Sequence, residues 1–392
     1  MSHDSSQATL RHKSNALHER VREFARVHLR TDLIVGPQRE SFEELALDIA
    51  RYQLEMSAGF SRLVGRKNGV LNSLEDIPIL PTDAFRCTRV AMHPPEWDEV
   101  VYQTSGTTGV ETGKHPVRDL KTKEELCLLQ ARESLFKEHS RGIIVALASP
   151  PQEPQTSSLT HMMELFMKRF DGRQLSPDPT GAPFDSRAPG RWLVGSHGID
   201  IEGLCRAARL AIYRSEPLFI LGTSFALLAT LETLDDQQIR TPSRTYLMIT
   251  GGFKGKSHQV SEDQLRARAV ETFRTTPERI VGEYGMTELS SQLFEGKKRG
   301  YYLAPPWLRL QAIDPTTYKR VEPGTPGLAH FIDLANIDSC LSIVTQDLIR
   351  ETNDGYQLQG RASRSPSRGC SLPYESLLIS PSPLLSSRGS SL

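Results

Sequence analysis

Between residues 16 and 29, apolar Leu17, Val21, Phe24 and Val27 recur at spacings of three and four, which places them on one face of an α-helix. A second helical run covers residues 42–63, so the first 70 residues read as a helical region. Residues 74–85, LEDIPILPTDAF, are punctuated by Pro78 and Pro81 and predict extended chain, because proline restricts both its own φ and its predecessor. Beyond residue 140 the period changes. Residues 142–148 (GIIVALA) form a short apolar run of the kind found in buried strands, and residues 192–195 form another. A helical pattern follows over 202–213. Residues 218–221 then predict a strand leading into a helix over 224–231. Tyr246 to Thr250 precede a helix whose start is marked by Ser261 and Gln264 at capping-box spacing. Ile280 and Val281 lead into Gly282-Glu283-Tyr284-Gly285.

This βαβα alternation predicts an α/β fold with a largely parallel central sheet and flanking helices, whose ligands gather on loops at the carboxyl ends of strands. From about residue 300 the pattern is strand-rich, at 301–303, 308–313, 328–334 and 341–344. Asn353-Asp354-Gly355 sits between Leu348-Ile349 and residues 356–358, a hairpin signal. After Leu372 the chain reads PYESLLISPSPLLSSRGSSL, with little to bury, and is expected to be disordered. The expected organisation is a helical region to residue 70, an α/β core over 71–300, a strand-rich part of the same catalytic unit over 301–372, and a tail over 373–392.

Composition narrows the function classes. With 38% hydrophobic and 24% charged residues, the chain has the balance of a globular protein. Lys plus Arg and Asp plus Glu both number 47, so nothing points to nucleic acid or an anionic membrane as the main partner. No apolar stretch approaches the length of a membrane span, and residues 1–15 lack the apolar core of a secretory signal, so a cytoplasmic enzyme is expected. The five cysteines, Cys87, Cys127, Cys205, Cys340 and Cys370, are scattered without a C-x-x-C pair, which argues against a disulfide framework or structural zinc. The first four read as small buried hydrophobes.

The candidate chemistry begins at Thr104-Ser105-Gly106-Thr107-Thr108-Gly109, four hydroxyl residues interleaved with two glycines after the run Glu99 to Tyr102. Glycine lets backbone approach a ligand closely, and successive N–H groups and hydroxyls in such a turn can surround phosphate. A polar hairpin turn is the alternative for this cluster alone. Two stretches nearly match the Walker A loop, but residues 109–115 are one residue short and TGGFKGKS over 250–257 lacks the first glycine. A P-loop ATPase is therefore not expected.

Taken in order, TSGTTG at 104–109, TGG at 250–252, EYGMTE at 283–288, TQDL at 345–348 and GYQLQGR at 355–361 resemble the signatures of the adenylate-forming superfamily. More narrowly, IPILPTDAF, TSGTTG, GKHPVRD, YGMTELSSQ and GRASRSPSRGCSL resemble the acyl-protein synthetase component of the bacterial fatty acid reductase complex of bioluminescence, over residues 76–372. That resemblance implies an adenylate-forming N-domain-like fold with the usual mobile C-terminal domain absent or truncated. It also implies a reaction in which a fatty or other carboxylic acid and ATP give acyl-adenylate and pyrophosphate, and the acyl group then passes to a cysteine thiolate as a thioester.

The same resemblance implies the roles. Thr104, Ser105, Gly106, Thr107, Thr108 and Gly109 would hold the β,γ-phosphates. Lys114 would add charge, although it lies farther from Gly109 than the lysine of the usual loop. Thr287 would bond the α-phosphate and Glu288 would hold Mg²⁺, a hard cation that takes carboxylate and phosphate oxygens. Tyr284, followed by Gly285, would stack on adenine. Gly251 and Gly252 would permit close approach, Asp347 would accept from the ribose hydroxyls, and Arg361 would sit near ribose and phosphate. Cys370, in the GCSL context and near Arg364 and Arg368, would carry the acyl group, its alternative being an ordinary free thiol. His161 would line the acyl pocket or pack as a core histidine. The chain departs from the superfamily in having no lysine after Lys319, where the mobile domain usually supplies a catalytic one. The resulting expectation is an ATP- and Mg²⁺-dependent acyl-protein synthetase partnered by an acyl reductase or acyltransferase. An acyl- or aryl-CoA ligase and a catalytically weak nucleotide-binding scaffold are the rivals.

Overall fold

Helix α1 (Ser2–Leu29) turns Leu17, Val21, Phe24 and Ala25 inward, as the three- and four-residue spacing requires. It packs with α2 (Phe42–Met56), which opens on a Ser41–Glu44 capping box, and α3 (Ala58–Gly65). The single helix expected over 42–63 is therefore two. Ser57 adopts extended backbone (φ −123°, ψ 111°), and its hydroxyl accepts from the Phe60 N–H at 3.2 Å. The same residue thus ends one helix and caps the next. The computed structural model describes residues 2–29, 40–65, 70–104, 112–174, 183–235, 237–251 and 260–362.

The proline-punctuated stretch is extended only at strand β1 (Leu80–Pro81), which runs parallel to Ile343 and Val344. Before it, Ser73 and Asp76 close a 3₁₀ turn; after it, α4 (Ala84–Cys87) makes a single helical turn. Proline restricts its own φ and its predecessor, but leaves the residues after it free to turn. Strands β2 (Val100–Gln103) and β3 (Lys114–Val117) form an antiparallel hairpin, followed by α5 (Leu120–Glu133).

The parallel half of the main sheet comes next. Strand β4 (Ile143–Leu147) leads to α6 (Ser158–Phe170), and a short ribbon, β5 (Val194–Gly195) with β6 (Gly198–Ile199), leads to α7 (Ile201–Arg214). Then come β7 (Leu218–Thr223), α8 (Ser224–Thr233), β8 (Thr245–Thr250), α9 (Glu262–Phe273) and β9 (Ile280–Tyr284). Strands β4, β7, β8 and β9 lie side by side and parallel. Each is apolar on both faces because helices cover both. Ile143, Val145, Leu218, Ile220, Leu247 and Ile249 meet α7, α8 and α9, whereas Ile144, Ala146, Phe219, Leu221, Tyr246 and Met248 meet α5 and α6. The strand expected over 192–195 contributes only one bridge to this sheet, Trp192 beside Ala146. Gly198, at φ +100°, turns the chain back into the ribbon instead.

After β9 the same sheet becomes antiparallel, through β10 (Leu293–Glu295), β11 (Tyr301–Leu303), β12 (Leu308–Ile313), β13 (Pro326–Asp333), β14 (Ser342–Thr352) and β15 (Gly355–Arg361). The order across the sheet is β12-β13-β14-β15-β11-β10-β9-β8-β7-β4, with β1 beside β14, eleven strands among the described residues. The α/β architecture is as expected, with its parallel pairing concentrated in the 143–284 half. The hairpin expected at Asn353-Asp354-Gly355 joins β14 to β15, with Gly355 at φ +125°.

The N-terminal helices are fastened to this sheet by the turn between β13 and β14. Asp338, 6% exposed, accepts from Ser14 Oγ (2.7 Å), Tyr52 OH (2.7 Å), His18 Nε2 (2.8 Å) and Arg118 Nε (2.6 Å). Burial alone would raise its pKa. The hydrogen bond and charge of His18 and the charge of Arg118 outweigh that and hold the carboxyl below its ordinary range. Removing one partner of a buried ion pair strands the others, so Asp338→Ala should lower unfolding free energy by about 3–5 kcal/mol in urea titrations. Because the folded pKa is depressed, this contribution is full above the ordinary carboxylate range and is lost only as pH falls through and below it.

Candidate active site

The carboxyl end of β9 delivers Tyr284 into a cluster built by the antiparallel half. Asp347 of β14 and Arg361 of β15 face each other across the ladder, and Arg361 Nε donates to Asp347 Oδ1 at 2.7 Å. The Tyr284 hydroxyl donates to Asp347 Oδ2 at 2.8 Å, and its ring stacks on Phe331, 6.0 Å between centroids at 13°. Burial, then the charge of Asp347, push the phenol well above its usual pKa of 10, so it stays a donor. Three residues widely separated in sequence are thus one hydrogen-bonded unit.

At the end of β8, Thr250 donates through its hydroxyl to Glu283, whose carboxyl is buried. Gly251 follows in the left-handed region (φ +66°) and is exposed; Gly252 lies outside the described residues. Gly285 has a specific reason to lack a side chain, since a Cβ there would come within 2.6 Å of Glu283 Oε1.

The β2–β3 hairpin closes at Thr104 and Gly113. The Thr104 N–H donates to Gly113 O (2.9 Å), and the Gly113 N–H donates to Thr104 Oγ1 (2.8 Å). Ser105, Gly106, Thr107, Thr108 and Gly109 lie outside the described residues, between these two closing positions in sequence. The hairpin is tied to the loop after β9 twice. Thr287 Oγ1 donates to Gln103 O at 3.4 Å, and His115 Nδ1 donates to the Thr287 carbonyl at 2.6 Å. Burial, then the Lys123 charge, push the His115 pKa down to about 3, so the ring is neutral and presents one N–H to that carbonyl. Lys114 is exposed at the start of β3, opposite Gln103.

The loop itself is held from beneath. The N–H groups of Ser290 and Ser291 donate to Asp333, each at 3.0 Å, and Asn336 Nδ2 donates to the Glu288 carbonyl at 3.0 Å. Lys123 Nζ donates to Leu289 O at 3.0 Å. Glu288 is 8% exposed; burial raises the pKa of its carboxyl, opposed by its own backbone N–H and by the charges of Arg86 and Arg361. Among the described residues, no group of three or more His, Cys, Asp or Glu side chains could hold a metal ion unaided.

His161 is engaged at both ring nitrogens. The buried Tyr102 hydroxyl lies 3.0 Å from Nδ1, and Nε2 donates to Glu124 Oε1 at 2.9 Å, a carboxylate oxygen that can only accept. This chain, like the His115 and Lys123 contacts, escapes sequence reasoning because its members are 37 and 59 residues apart. The alternation that buries Tyr102 was the available signal. Cys370 lies outside the described residues. Of the other cysteines, Cys127 and Cys340 are buried, and burial pushes each thiol up to about 12. Cys205 is half-buried. Cys87 corrects the expectation: it ends the one-turn α4 and is exposed, because so short a helix buries only Ala84 and Phe85.

Burial pushes Glu283 up to about 7, against the Thr250 hydrogen bond and the Lys123 charge. Its folded pKa exceeds the unfolded value, so wild-type stability should fall as pH rises from about 4.5 to 7, by at most ~1.4 kcal/mol per pH unit. Glu283→Gln should remove that slope in denaturant titrations at pH 5, 6, 7 and 8, leaving the variant relatively more stable at the alkaline end.

Known proteins resemble this chain in sequence and in fold. Residues 202–377 match the family model described as acyl-protein synthetase, LuxE. The long-chain-fatty-acid–luciferin-component ligase of Vibrio harveyi is 23% identical over 320 residues, 77% of this chain and 78% of that protein. The protein of the same name from Aliivibrio fischeri is 22% identical over 325 residues, 79% and 80% of the two chains. Among solved structures, an open conformation of 2-hydroxyisobutyryl-CoA ligase in complex with 2-HIB-AMP and CoA superposes with a TM-score of 0.57 at 14% identity, covering 85% of this chain and 75% of that one. At that identity the likeness establishes the fold, that of adenylate-forming ligases. The family match and the two relatives together support an acyl-protein synthetase of the LuxE type, an enzyme of the acid–thiol ligase kind.

Proposed function

We propose that this chain activates a fatty acid with ATP to an acyl-adenylate and then transfers the acyl group to the Cys370 thiolate as a thioester. The observation that carries the reading is the convergence of Tyr284, Asp347, Arg361, Thr287 and Glu288 at the carboxyl end of β9, beside the closed base of the β2–β3 hairpin. A carboxylate is a poor electrophile until its oxygen becomes part of a good leaving group, and phosphoryl chemistry of this kind is mainly positioning and electrostatic stabilisation.

In this reading the ring of Tyr284 and the Asp347 carboxylate face the nucleoside, the latter accepting from ribose hydroxyls, with Arg361 near ribose and phosphate. Gly251 and Gly252 permit close approach. Thr104 and Ser105 to Gly109 cradle the terminal phosphates, with Lys114 as an outlying charge. Thr287, its carbonyl fixed by His115, presents its hydroxyl to the α-phosphate. Glu288 fits Mg²⁺, because a single buried carboxylate completes a hard-cation site when phosphate supplies the other oxygens; bound there, the ion would neutralise charge on the phosphates. His161 borders the acyl pocket. The acyl group would be received by an acyl reductase or acyltransferase. A cytoplasmic location belongs to the same proposal; no helix among the described residues is long and apolar enough to cross a membrane.

Intact-mass spectrometry after incubation with ATP, Mg²⁺ and a panel of fatty acids tests this. Wild type should acquire a hydroxylamine-labile acyl adduct and Cys370→Ala should not, while still releasing pyrophosphate. Glu288→Gln should slow pyrophosphate release about 10²-fold or more. Pyrophosphate release that depends on CoA and ignores Cys370→Ala would point to a CoA ligase, and nucleotide binding without release to a scaffold.

A further inference from the structure

Arg86 sits in α4, between the β2–β3 hairpin and the loop that carries Glu288. Its location is set from three sides. The Thr82 N–H donates to Val344 O at 3.0 Å, and Gln346 Nε2 donates to Asp83 Oδ2 at 3.0 Å, which tether the segment to β14 just before Asp347. Phe85 packs edge-on to His115, with 5.6 Å between ring centroids, and His115 holds Thr287. The aliphatic stem of Arg86 lies against the closing residue of the hairpin: a Cβ on Gly113 would be 3.4 Å from Arg86 Cγ and 3.2 Å from Thr104 Cγ2.

The cations around it are committed. Arg361 is paired with Asp347, Arg118 with Asp338, and Lys123 is buried on the Leu289 carbonyl. Arg86, half-buried, has no side-chain hydrogen bond or ion pair among the described residues, and its field reaches the Glu288 carboxyl. A guanidinium partly withdrawn from water without an anion is an expensive arrangement, and its planar fork matches phosphate oxygens in pairs.

We propose that Arg86 is a phosphate-binding residue of this site, contacting the β,γ-phosphates of ATP and the pyrophosphate that departs from them. The proposal rests on the adenylation reading above. When the acid's carboxylate oxygen bonds to the α-phosphorus, the bond from that phosphorus to the β-bridging oxygen breaks. The electron pair leaves on pyrophosphate, whose growing charge Arg86 meets. It also assigns a cationic role to a residue outside the TSGTTG stretch, beside the one expected of Lys114.

Calorimetric titration of the full chain with ATP and, separately, AMP tests it, using wild type, Arg86→Gln and Arg86→Lys. Arg86→Gln keeps most of the stem that packs on Gly113 and loses the charge. It should weaken ATP about 10- to 100-fold while leaving AMP, which lacks the terminal phosphates, within about threefold. Arg86→Lys should recover part of the loss, and it provides the comparison if the glutamine variant melts early. Unchanged ATP affinity in Arg86→Gln, or equal weakening of ATP and AMP, would overturn the assignment while leaving adenylation intact. Failure of wild type to bind either nucleotide would remove the adenylation reading, and this proposal with it.

Discussion

A carboxylate taken out of water must be surrounded by donors, and the turn between β13 and β14 buries two of them within six residues. Asp333 takes the backbone N–H groups of Ser290 and Ser291, and Asp338 takes Ser14, His18, Tyr52 and Arg118. Between them Asn336 binds the Glu288 carbonyl, and Gln53 of α2 donates to the carbonyls of Asn336 and Ile337. One turn therefore fixes the loop after β9 on one side and the N-terminal helices on the other. Those helices, remote from the site in sequence, belong to its support. Such a node is costly to break at any member, because each loss leaves a buried charge or dipole unpaired.

Burial also sorts the charges around the candidate site. His115 is driven towards its neutral form, Lys123 down to about 8 and Glu283 up to about 7, all chiefly by desolvation. Lys123 and Glu283 lie close enough to oppose that trend in each other, yet desolvation leads for both. Nearer the surface lie the side chains of Arg86, Lys114, and Asp347 paired with Arg361. His115 and Lys123, beneath, hold the backbone of the loop after β9 in position through the carbonyls of Thr287 and Leu289.

The sheet places these groups by changing its pairing. Parallel strands β4, β7, β8 and β9 all point their carboxyl ends the same way, which brings Thr250-Gly251 and Tyr284-Gly285 to one edge. The switch to antiparallel pairing at β10 then lets β14 and β15 return Asp347 and Arg361 to that edge. Neither half alone contains the cluster.

The periodicity of the chain by itself determined which segments are strands buried on both faces, where α7 to α9 and the β14–β15 hairpin fall, and which short motifs carry ligand-type residues. Those properties are local: a turn needs its glycine, a buried strand its apolar run, a helix its stripe and cap. Helices α5 and α6 were not legible in the same way. Their apolar positions are interrupted by Thr122, Lys123 and Glu164, which are buried only because distant partners satisfy them. The same holds at the site. Sequence order could align Tyr284, Asp347 and Arg361 as motif members, but only tertiary structure decided that they share one carboxylate. It likewise decided that His115 holds Thr287, that Tyr102, His161 and Glu124 form a chain, and that Arg86 packs its stem against the closing residue of the hairpin. Each is a contact between elements far apart in sequence, and polar groups acquire such partners only when folding removes the water that would otherwise satisfy them.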